Sequence, residues 1–413
     1  MKLRLILLFL VISINSCSQS NIEYKKELKP FVEFLTKQKF STAKDYILNK
    51  FKTKDIVIIS ERDHRDLTQY EVIFDVLKDP EFKGNVYTET GSSNNYKRIN
   101  DFLLNDKLSN SEMEKELLAI YRDLTHHLIW EKYNYYALLK TIYKINKSRA
   151  KSDKILLFPL DVSFDWKEIK CSSQYKKFKD YLYYKTVDKE IKLGTTIIDR
   201  NRVMGENFVA FYEYAKKNNP KRPKALIIEN TYHGYIRIPT YKPLPTMPDI
   251  YSTGEFIYKT YPKNTTNIYV NYYTQGFAKG LTNNGLFDAA FEYTKTDNIG
   301  FDLKNTPFGN SKFDLYDFGG KDYKETTFDY IFDGMIFYKP VYKMDFAMGI
   351  PNIYPKEYEK QFFERISLIL GIPYEQSVKE YSKALSEINR VEHESIPADR
   401  KEKIKAQINY WLK

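Results

Sequence analysis

Four short apolar segments alternate with segments of helical spacing, and this rhythm limits the fold more than any other feature of the sequence. They are predicted strands over residues 55–59, 85–89, 154–160 and 224–228. Strands that are apolar on both faces need cover on both faces, which is typical of a parallel sheet between helical layers. We therefore predict an α/β fold, a mostly parallel sheet flanked by helices, with a helical C-terminal part.

Further elements are predicted around these strands from hydrophobic spacing and from the positions of prolines. One early helix and two central helices cover residues 31–50, 174–193 and 197–217. A strand at 268–273 and a strand pair at 327–341 follow. Three helices at 356–370, 374–389 and 399–411 complete the C-terminal part.

The first 17 residues are typical of a bacterial lipoprotein signal peptide. Lys2 and Arg4 precede an apolar run that is too short to span a bilayer. The motif INSC at 14–17 fits a lipobox except at Asn15. We predict lipidation at Cys17 and a membrane-anchored protein of the cell envelope that faces the periplasm or the exterior. An ordinary secretory signal is the alternative.

The chain is predicted to have four parts. The signal peptide covers residues 1–17, a polar tether 18–30, an α/β domain 31–350, and a helical segment that packs on it 351–413. If Cys17 carries lipid, Cys171 has no cysteine to pair with. Stability must then come from a hydrophobic core, for which a hydrophobic content of 42% is ample.

The net charge of +11 does not by itself indicate a nucleic-acid partner. Lysine far outnumbers arginine, and the sequence has no arginine-rich stripe with interleaved aromatic residues. The expected partners are a small-molecule substrate and, through the lipid, a membrane. Neither a nucleic acid nor a protein partner is indicated.

Acidic residues and histidines follow all four apolar segments. Glu61 and His64 follow the first, Glu89 ends the second, Asp161 ends the third, and His233 follows the fourth. Because the carboxyl ends of parallel strands share one edge of a sheet, these side chains are expected to converge there. The chain has 5 histidines, and two of them fall at this edge.

Several of these residues also have a purely structural interpretation. A carboxylate before a helix often caps it, which is the interpretation we prefer for Asp63 and an alternative for Glu61 and Glu89. Asp161 is equally open to a capping role. Arg200 either pairs on a helix surface or neutralises the cluster of carboxylates.

The order of these motifs resembles the erythromycin esterase-like and ChaN-like superfamily, with TraB-type proteins as distant relatives. That superfamily has a Gly-Glu-x-x-His motif after its first strand, which residues 60–64 fit with Ser60 in place of glycine. Its second glutamate corresponds to Glu89, and its late histidine to His233. The match covers about residues 50–240.

The superfamily also has an Arg-Asp-x-x-Met-x-x-Asn helix, which residues 200–207 fit with Asn201 in place of aspartate. The resemblance implies that Arg200 belongs to the site. Asn207 on this helix and Asp161 at the end of the third strand are predicted to contact substrate.

The resemblance implies a hydrolase of an ester or lactone bond. The sequence has no Gly-x-Ser-x-Gly elbow, so no covalent serine intermediate is expected. His64 would be the general base and Glu61 or Glu89 would hold its tautomer. His233 would protonate the leaving group or polarise the carbonyl, and Arg200 would stabilise the oxyanion.

This mechanism needs no cofactor, but other functions stay open. ChaN-like relatives bind haem iron, and TraB-type relatives suggest a metal-dependent hydrolase. Either haem or a divalent metal would bind at His64, His233, Glu61 and Glu89. The departures at residues 60 and 201 also leave room for a surface protein without catalytic activity.

Overall fold

The computed structural model describes residues 24–126, 132–183, 200–239, 252–272, 280–315 and 326–413. The predicted signal peptide, Cys17 and residues 18–23 of the tether lie outside these ranges. Within them, no helix is long and apolar enough to cross a membrane.

The described elements are strands and helices in alternation, with a few short 3₁₀ turns. The strands are β1 Ser41–Thr42, β2 Ile56–Glu61, β3 Gly84–Ser92, β4 Leu157–Asp161, β5 Lys224–Asn230, β6 Thr265–Val270, β7 Ile299–Asp302, β8 Gly334–Phe337, β9 Asp345–Met348 and β10 Glu392–Ser395. The helices are α1 Lys29–Lys37, α2 Ala43–Thr53, α3 Leu67–Lys78, α4 Tyr96–Leu104, α5 Asn110–Arg122, α6 Tyr133–Lys147, α7 Ser172–Tyr183, α8 Arg200–Asn218, α9 Thr253–Thr260, α10 Leu286–Thr294, α11 Phe328–Ile331, α12 Glu359–Leu370, α13 Tyr374–Ile388 and α14 Ala398–Trp411.

An eight-stranded sheet with the order β1-β7-β8-β6-β2-β5-β3-β4 forms the centre of the protein. Neighbouring strands from β8 to β4 run parallel. At the opposite edge, β7 pairs antiparallel with both β8 and β1. Helices cover both faces, and helices α12 to α14 form most of the C-terminal part. The predicted α/β fold class is therefore confirmed.

Strand β2 shows why the sequence gives this sheet. All six of its residues are buried. Val57 and Ile59 belong to the core that contains α3 and α6, while Ile56 and Ile58 belong to the core against α8. A strand with apolar side chains on both faces is stable only between two helical layers.

Several boundaries differ from the prediction. The helix predicted over residues 31–50 is two helices, because β1 interrupts it and Thr42 caps α2 through a hydrogen bond from the Asp45 amide. The predicted strand pair at 327–341 contains the short helix α11 before β8. Strand β10 lies within the predicted helical segment and pairs with β9. At the N-terminus, Leu28 is buried within the predicted tether.

The order of the strands in the sheet brings the residues of the predicted site close to one another. Strand β5 inserts between β2 and β3, so the carboxyl ends of these three strands are neighbours. Strand β3 shifts its register against β4 after Thr88. Gly91 in this irregular stretch has a φ of 103°, which favours glycine. A side chain there would also lie 2.9 Å from both Leu124 and Pro159.

Candidate functional site

The loop between β2 and α3 is held by buried hydrogen bonds. Arg62 is almost fully buried and its Nε donates to Asp66 Oδ2 at 2.6 Å. Asp66, not Asp63, caps α3, since its side chain accepts from the Thr68 amide. The predicted cap at Asp63 is therefore wrong: its Oδ1 accepts from the Arg65 amide at 2.8 Å. This network fixes the chain on both sides of His64.

His64 is held between two buried carboxylates. Its Nδ1 lies 2.8 Å from Glu61 Oε2, and its Nε2 lies 3.3 Å from Glu89 Oε1. The hydroxyl of Tyr135 donates to Glu61 Oε2 at 2.5 Å. Glu61 is fully buried and Glu89 nearly so, whereas 22% of the His64 side chain is exposed. Of His64, Glu61 and Glu89, only the His64 side chain is exposed enough to contact a bound molecule.

Glu89 ends the regular part of β3 and accepts from more than one side. Its Oε2 accepts from the backbone amide of Asn230 at 2.7 Å, which ties β3 to β5. The same oxygen lies 3.7 Å from His233 Nε2. The carboxylate thus stands between the two histidines of the site, and it is not a helix cap.

His233 has a neutral partner on one ring nitrogen and a cation beside the other. Its Nδ1 lies 2.6 Å from Asn201 Oδ1, an atom that only accepts, so Nδ1 carries the proton. Arg200 Nη1 lies 3.4 Å from His233 Nε2. The Nε2 lone pair therefore faces the guanidinium, and 15% of the histidine side chain is exposed.

Arg200 also makes a two-point ion pair with Asp161. Its Nε and Nη2 donate to the two carboxylate oxygens at 2.8 and 3.0 Å. Asp161 is buried and holds the arginine against the end of β4. About two turns further along α8, Asn207 Nδ2 donates to the Leu160 carbonyl at 2.8 Å. Asp161 and Asn207 thus have a structural role, and their contacts to substrate stay predictions.

The two carboxylates decide the charge of His64. Burial acts to lower the pKa of its imidazole, but Glu61 and Glu89 outweigh burial and hold that pKa above its usual value. Burial raises the pKa of Glu61, opposed by His64. Burial also acts to raise the pKa of Glu89, yet His233, His64 and Arg200 together keep that pKa low.

The surroundings of His233 have the opposite effect. Burial lowers the pKa of its imidazole to about 4, and the nearby Arg200 adds to the shift against the opposing charge of Glu89. Although burial acts to raise the pKa of Asp161, the charge of Arg200 keeps it low. The site thus combines a His64 whose pKa is raised with a His233 whose pKa is lowered, and at neutral pH His233 is neutral.

The structure brings together all five residues that the sequence predicts to be catalytic: Glu61, His64, Glu89, Arg200 and His233. It adds two side chains that sequence reasoning missed. Tyr135 lies 74 positions from Glu61 along the chain, within an aromatic helix where nothing distinguishes it. In the sequence, Asn201 is only a departure from a motif, whereas in the structure its Oδ1 lies 2.6 Å from His233 Nδ1 and selects the tautomer of His233.

The donor set fits proton transfer better than metal or haem binding. Among the described residues, no group of three or more His, Cys, Asp or Glu side chains is arranged to hold a metal ion. The ring nitrogens of His64 face carboxylates on both sides. The guanidinium of Arg200 stands beside His233 Nε2, where it would repel an added cation. We therefore derive no chemical step through a metal or haem.

Comparisons with known proteins give no family for this chain. No protein-family model matches it, and no curated protein matches it by sequence. A crystal structure of a protein from Bacillus cereus is similar with a TM-score of 0.43 and 12% identity, over 76% of this chain and 97% of that chain. So low a similarity supports no inference about function, and the superfamily resemblance stays a prediction.

Proposed function

We propose that the protein hydrolyses an ester or lactone bond, with His64 as the residue that carries protons. One observation carries the proposal: a partly exposed imidazole is held between two buried carboxylates at the carboxyl ends of neighbouring strands. Parallel α/β sheets bind ligands at this edge. A carboxylate on Nδ1 is also what a catalytic imidazole needs to stay in one orientation.

The reaction begins from the neutral form of His64. Its imidazole takes a proton from water while the oxygen of that water attacks the carbonyl carbon. As the C–O bond to the leaving group breaks, the imidazolium returns the proton to the leaving alkoxide. The products are a carboxylic acid and an alcohol, and Glu61 stabilises the imidazolium in between.

Arg200 is the cation best placed to stabilise the developing oxyanion. Its Nε and Nη2 donate to Asp161, and its Nη1 lies 3.4 Å from His233 Nε2. A preorganised cation in a partly buried site stabilises negative charge strongly, because little solvent reorganises during the reaction. The substrate is a neutral or weakly charged ester rather than a phosphate ester, since three carboxylates line the site.

The geometry does not favour His233 as the acid that protonates the leaving group. Its proton is on Nδ1 and is donated to Asn201, and a pKa of about 4 leaves Nε2 unprotonated at neutral pH. Its Nε2 instead accepts a hydrogen bond. We assign the acid role to the imidazolium of His64 and a positioning role to His233.

The proposal is tested by mass-spectrometric turnover of a panel of esters and lactones, macrolides included, with the full chain in detergent. We expect His64→Ala to lower kcat/KM by about 100-fold or more. His393→Ala is the matched control, because His393 is an exposed histidine on β10 that pairs with Asp345 on β9. Its activity should equal that of the parent protein.

Additional conditions separate this function from the alternatives. Turnover that survives treatment with a chelator supports hydrolysis without a metal, and turnover that chelation abolishes contradicts it. If the parent protein cleaves no substrate on the panel, the hydrolase proposal fails. Titration with haem, followed by its Soret absorption, then tests the ChaN-like alternative.

We also propose that the protein is anchored to a membrane of the cell envelope by lipid at Cys17. The support is the sequence alone: a basic start, a short apolar run and a cysteine in lipobox position. Metabolic labelling with a fatty acid tests it. Label in the parent protein and its loss in Cys17→Ser are expected, and an unlabelled parent protein would contradict the anchor.

A further inference from the structure

A third glutamate lies at the same edge of the sheet and has no role in the mechanism above. Glu229 is the last residue but one of β5 and is fully buried. Neither of its carboxyl oxygens has a hydrogen-bond partner among the described residues. Buried carboxyl groups without partners are rare, because leaving such a group unsatisfied is costly.

Glu229 stands directly beside Glu89 on the same face of the sheet. Strand β5 pairs with β2 so that Glu229 is opposite Ser60, and with β3 so that Ile228 is opposite Thr88. The next position on β3 is Glu89. Alternation along the strands places Glu229, Ser60 and Glu89 on the side that packs against α8.

Ser60 completes this small polar group. Its hydroxyl is buried and also has no hydrogen-bond partner among the described residues. A side chain on Gly234 would come within 2.4 Å of that hydroxyl, so the glycine leaves the space that the serine occupies. The serine sits in regular strand geometry, which needs no glycine.

Two ionised carboxylates cannot stand side by side in this buried place at low cost. Glu89 is the one with cationic and amide neighbours, whereas Glu229 has none in hydrogen-bond contact. Burial, followed by the charge of Glu89, raises the pKa of Glu229 well above its usual range, and Arg200 opposes this only in part.

We propose that Glu229 is a positioning residue of the candidate site that works as a neutral carboxylic acid. By keeping its proton, it leaves Glu89 as the only anion of the pair. No further negative charge then favours the imidazolium of His64, and the imidazole can reach the neutral form in which it acts as base. The inference rests on the proposed function for its catalytic consequence. The protonation of Glu229 itself does not depend on that function.

Infrared spectroscopy of the full chain tests the protonation directly. At pH 7 the difference spectrum between the parent protein and Glu229→Gln should show the loss of one C=O band of a protonated carboxylic acid. Asp288→Asn is the matched control: Asp288 is a buried carboxyl on α10, and burial raises its pKa to about 7. It should remove a different band. If Glu229→Gln removes a carboxylate band instead, the proposal is overturned.

The pH profile tests the positioning role. Glutamine imitates the neutral acid, so Glu229→Gln should keep kcat/KM within about twofold of the parent value at neutral pH. In the parent protein, activity should fall at high pH as Glu229 ionises beside Glu89. In Glu229→Gln this fall should move to higher pH or disappear, while Asp288→Asn should keep the parent profile.

The outcomes separate the two proposals. A loss of activity of about tenfold or more in folded Glu229→Gln at neutral pH would show that the site needs the carboxyl group itself, and would overturn the neutral role. An unchanged fall at high pH would overturn the positioning role. If the parent protein cleaves nothing, the hydrolase proposal fails, and the infrared result still decides whether Glu229 is protonated.

Discussion

The two histidines of the site lie beside the same carboxylate, yet their pKa values shift in opposite directions. His64 Nε2 lies 3.3 Å and His233 Nε2 lies 3.7 Å from the oxygens of Glu89. His64 has a second carboxylate, Glu61, on its other ring nitrogen. With a negative partner on each side, its pKa is raised and its imidazolium is favoured.

His233 instead has a neutral partner and a cation. Asn201 accepts from its Nδ1, and Arg200 stands beside its Nε2. Its pKa therefore falls to about 4. The other neighbours of each histidine, and not the residue type or the shared carboxylate of Glu89, therefore decide which histidine carries protons. Substitution of one neighbour at a time tests this dependence.

The largest effect is expected when the cation beside His233 is removed. Arg200→Met leaves the buried carboxylate of Asp161 without its partner, so the free energy of unfolding should fall by about 3 kcal/mol. The pKa of His233 should also rise from about 4. Urea unfolding measures the first effect, and NMR titration of the histidine measures the second.

The matched control is the neighbouring arginine on the same helix. Arg202 pairs with Glu206, and their side chains are 54% and 56% exposed. Because exposed ion pairs contribute little, Arg202→Met should not change the unfolding midpoint measurably. Equal losses of unfolding free energy in the two variants would show that the Arg200–Asp161 pair stabilises the protein no more than an exposed ion pair does.

The second prediction removes a negative charge from the neighbourhood of His64. Glu61→Gln keeps a hydrogen-bond acceptor but loses the charge that supports the imidazolium, so the pKa of His64 should fall. We expect kcat/KM to drop by about tenfold to a hundredfold. Because the neutral imidazole is the base, parent activity falls as pH drops through the raised pKa of His64.

In Glu61→Gln this acid limb should therefore move to lower pH. The measurement compares the pH dependence of kcat/KM in the parent protein with that in the variant. An acid limb that stays in place would mean that His64 is not the titrating group.

The third prediction makes His233 resemble His64. Asn201→Asp places a carboxylate on Nδ1, so the pKa of His233 should rise from about 4 toward its usual value. In the parent protein, the unfolded chain protonates this histidine as pH falls below its usual pKa, whereas the native state does not until about pH 4. The free energy of unfolding therefore falls as the pH drops from the usual histidine pKa toward 4, because only the unfolded chain gains this proton.

Asn201→Asp should reduce this acid-dependent loss by on the order of 1 to 2 kcal/mol at pH 4.5 relative to pH 7. Denaturant unfolding at the two pH values measures it. If both proteins lose the same stability between these values, Asn201 does not set the charge of His233.

The smallest effect is expected at Tyr135. Tyr135→Phe removes the hydroxyl that donates to Glu61 at 2.5 Å but leaves both charges in place. The free energy of unfolding should fall by about 1 kcal/mol and kcat/KM by a few-fold. Tyr136→Phe is the control on the same helix, since Tyr136 donates to Glu114 away from the site. It should leave the pH profile unchanged.

The sequence predicted the centre of the fold because the apolar strands encode it directly. A strand such as β2 is buried on both faces, and its hydrophobic run shows this without knowledge of its neighbours. The strand ends then predicted where Glu61, His64, Glu89 and His233 would meet. The antiparallel edge could not be predicted, because β1 has only two residues and depends on β7 for its structure.

The charges of the site could not be predicted, because they depend on contacts distant in sequence. Tyr135 reaches Glu61 across 74 positions, and Glu229 becomes a neighbour of Glu89 only through the insertion of β5 between β2 and β3. The predicted general base was His64. The structure raises the pKa of His64 and places Asn201 Oδ1 beside His233 Nδ1, and neither contact could be predicted from the sequence.

The most direct test of this account is the ¹⁵N NMR spectrum of the histidine side chains in the full chain at pH 7. Variants His64→Gln and His233→Gln assign the two signals, and exposed His393 is an internal reference. The account predicts protons on both ring nitrogens of His64 and on Nδ1 alone in His233. A neutral His64 beside a cationic His233 would contradict it.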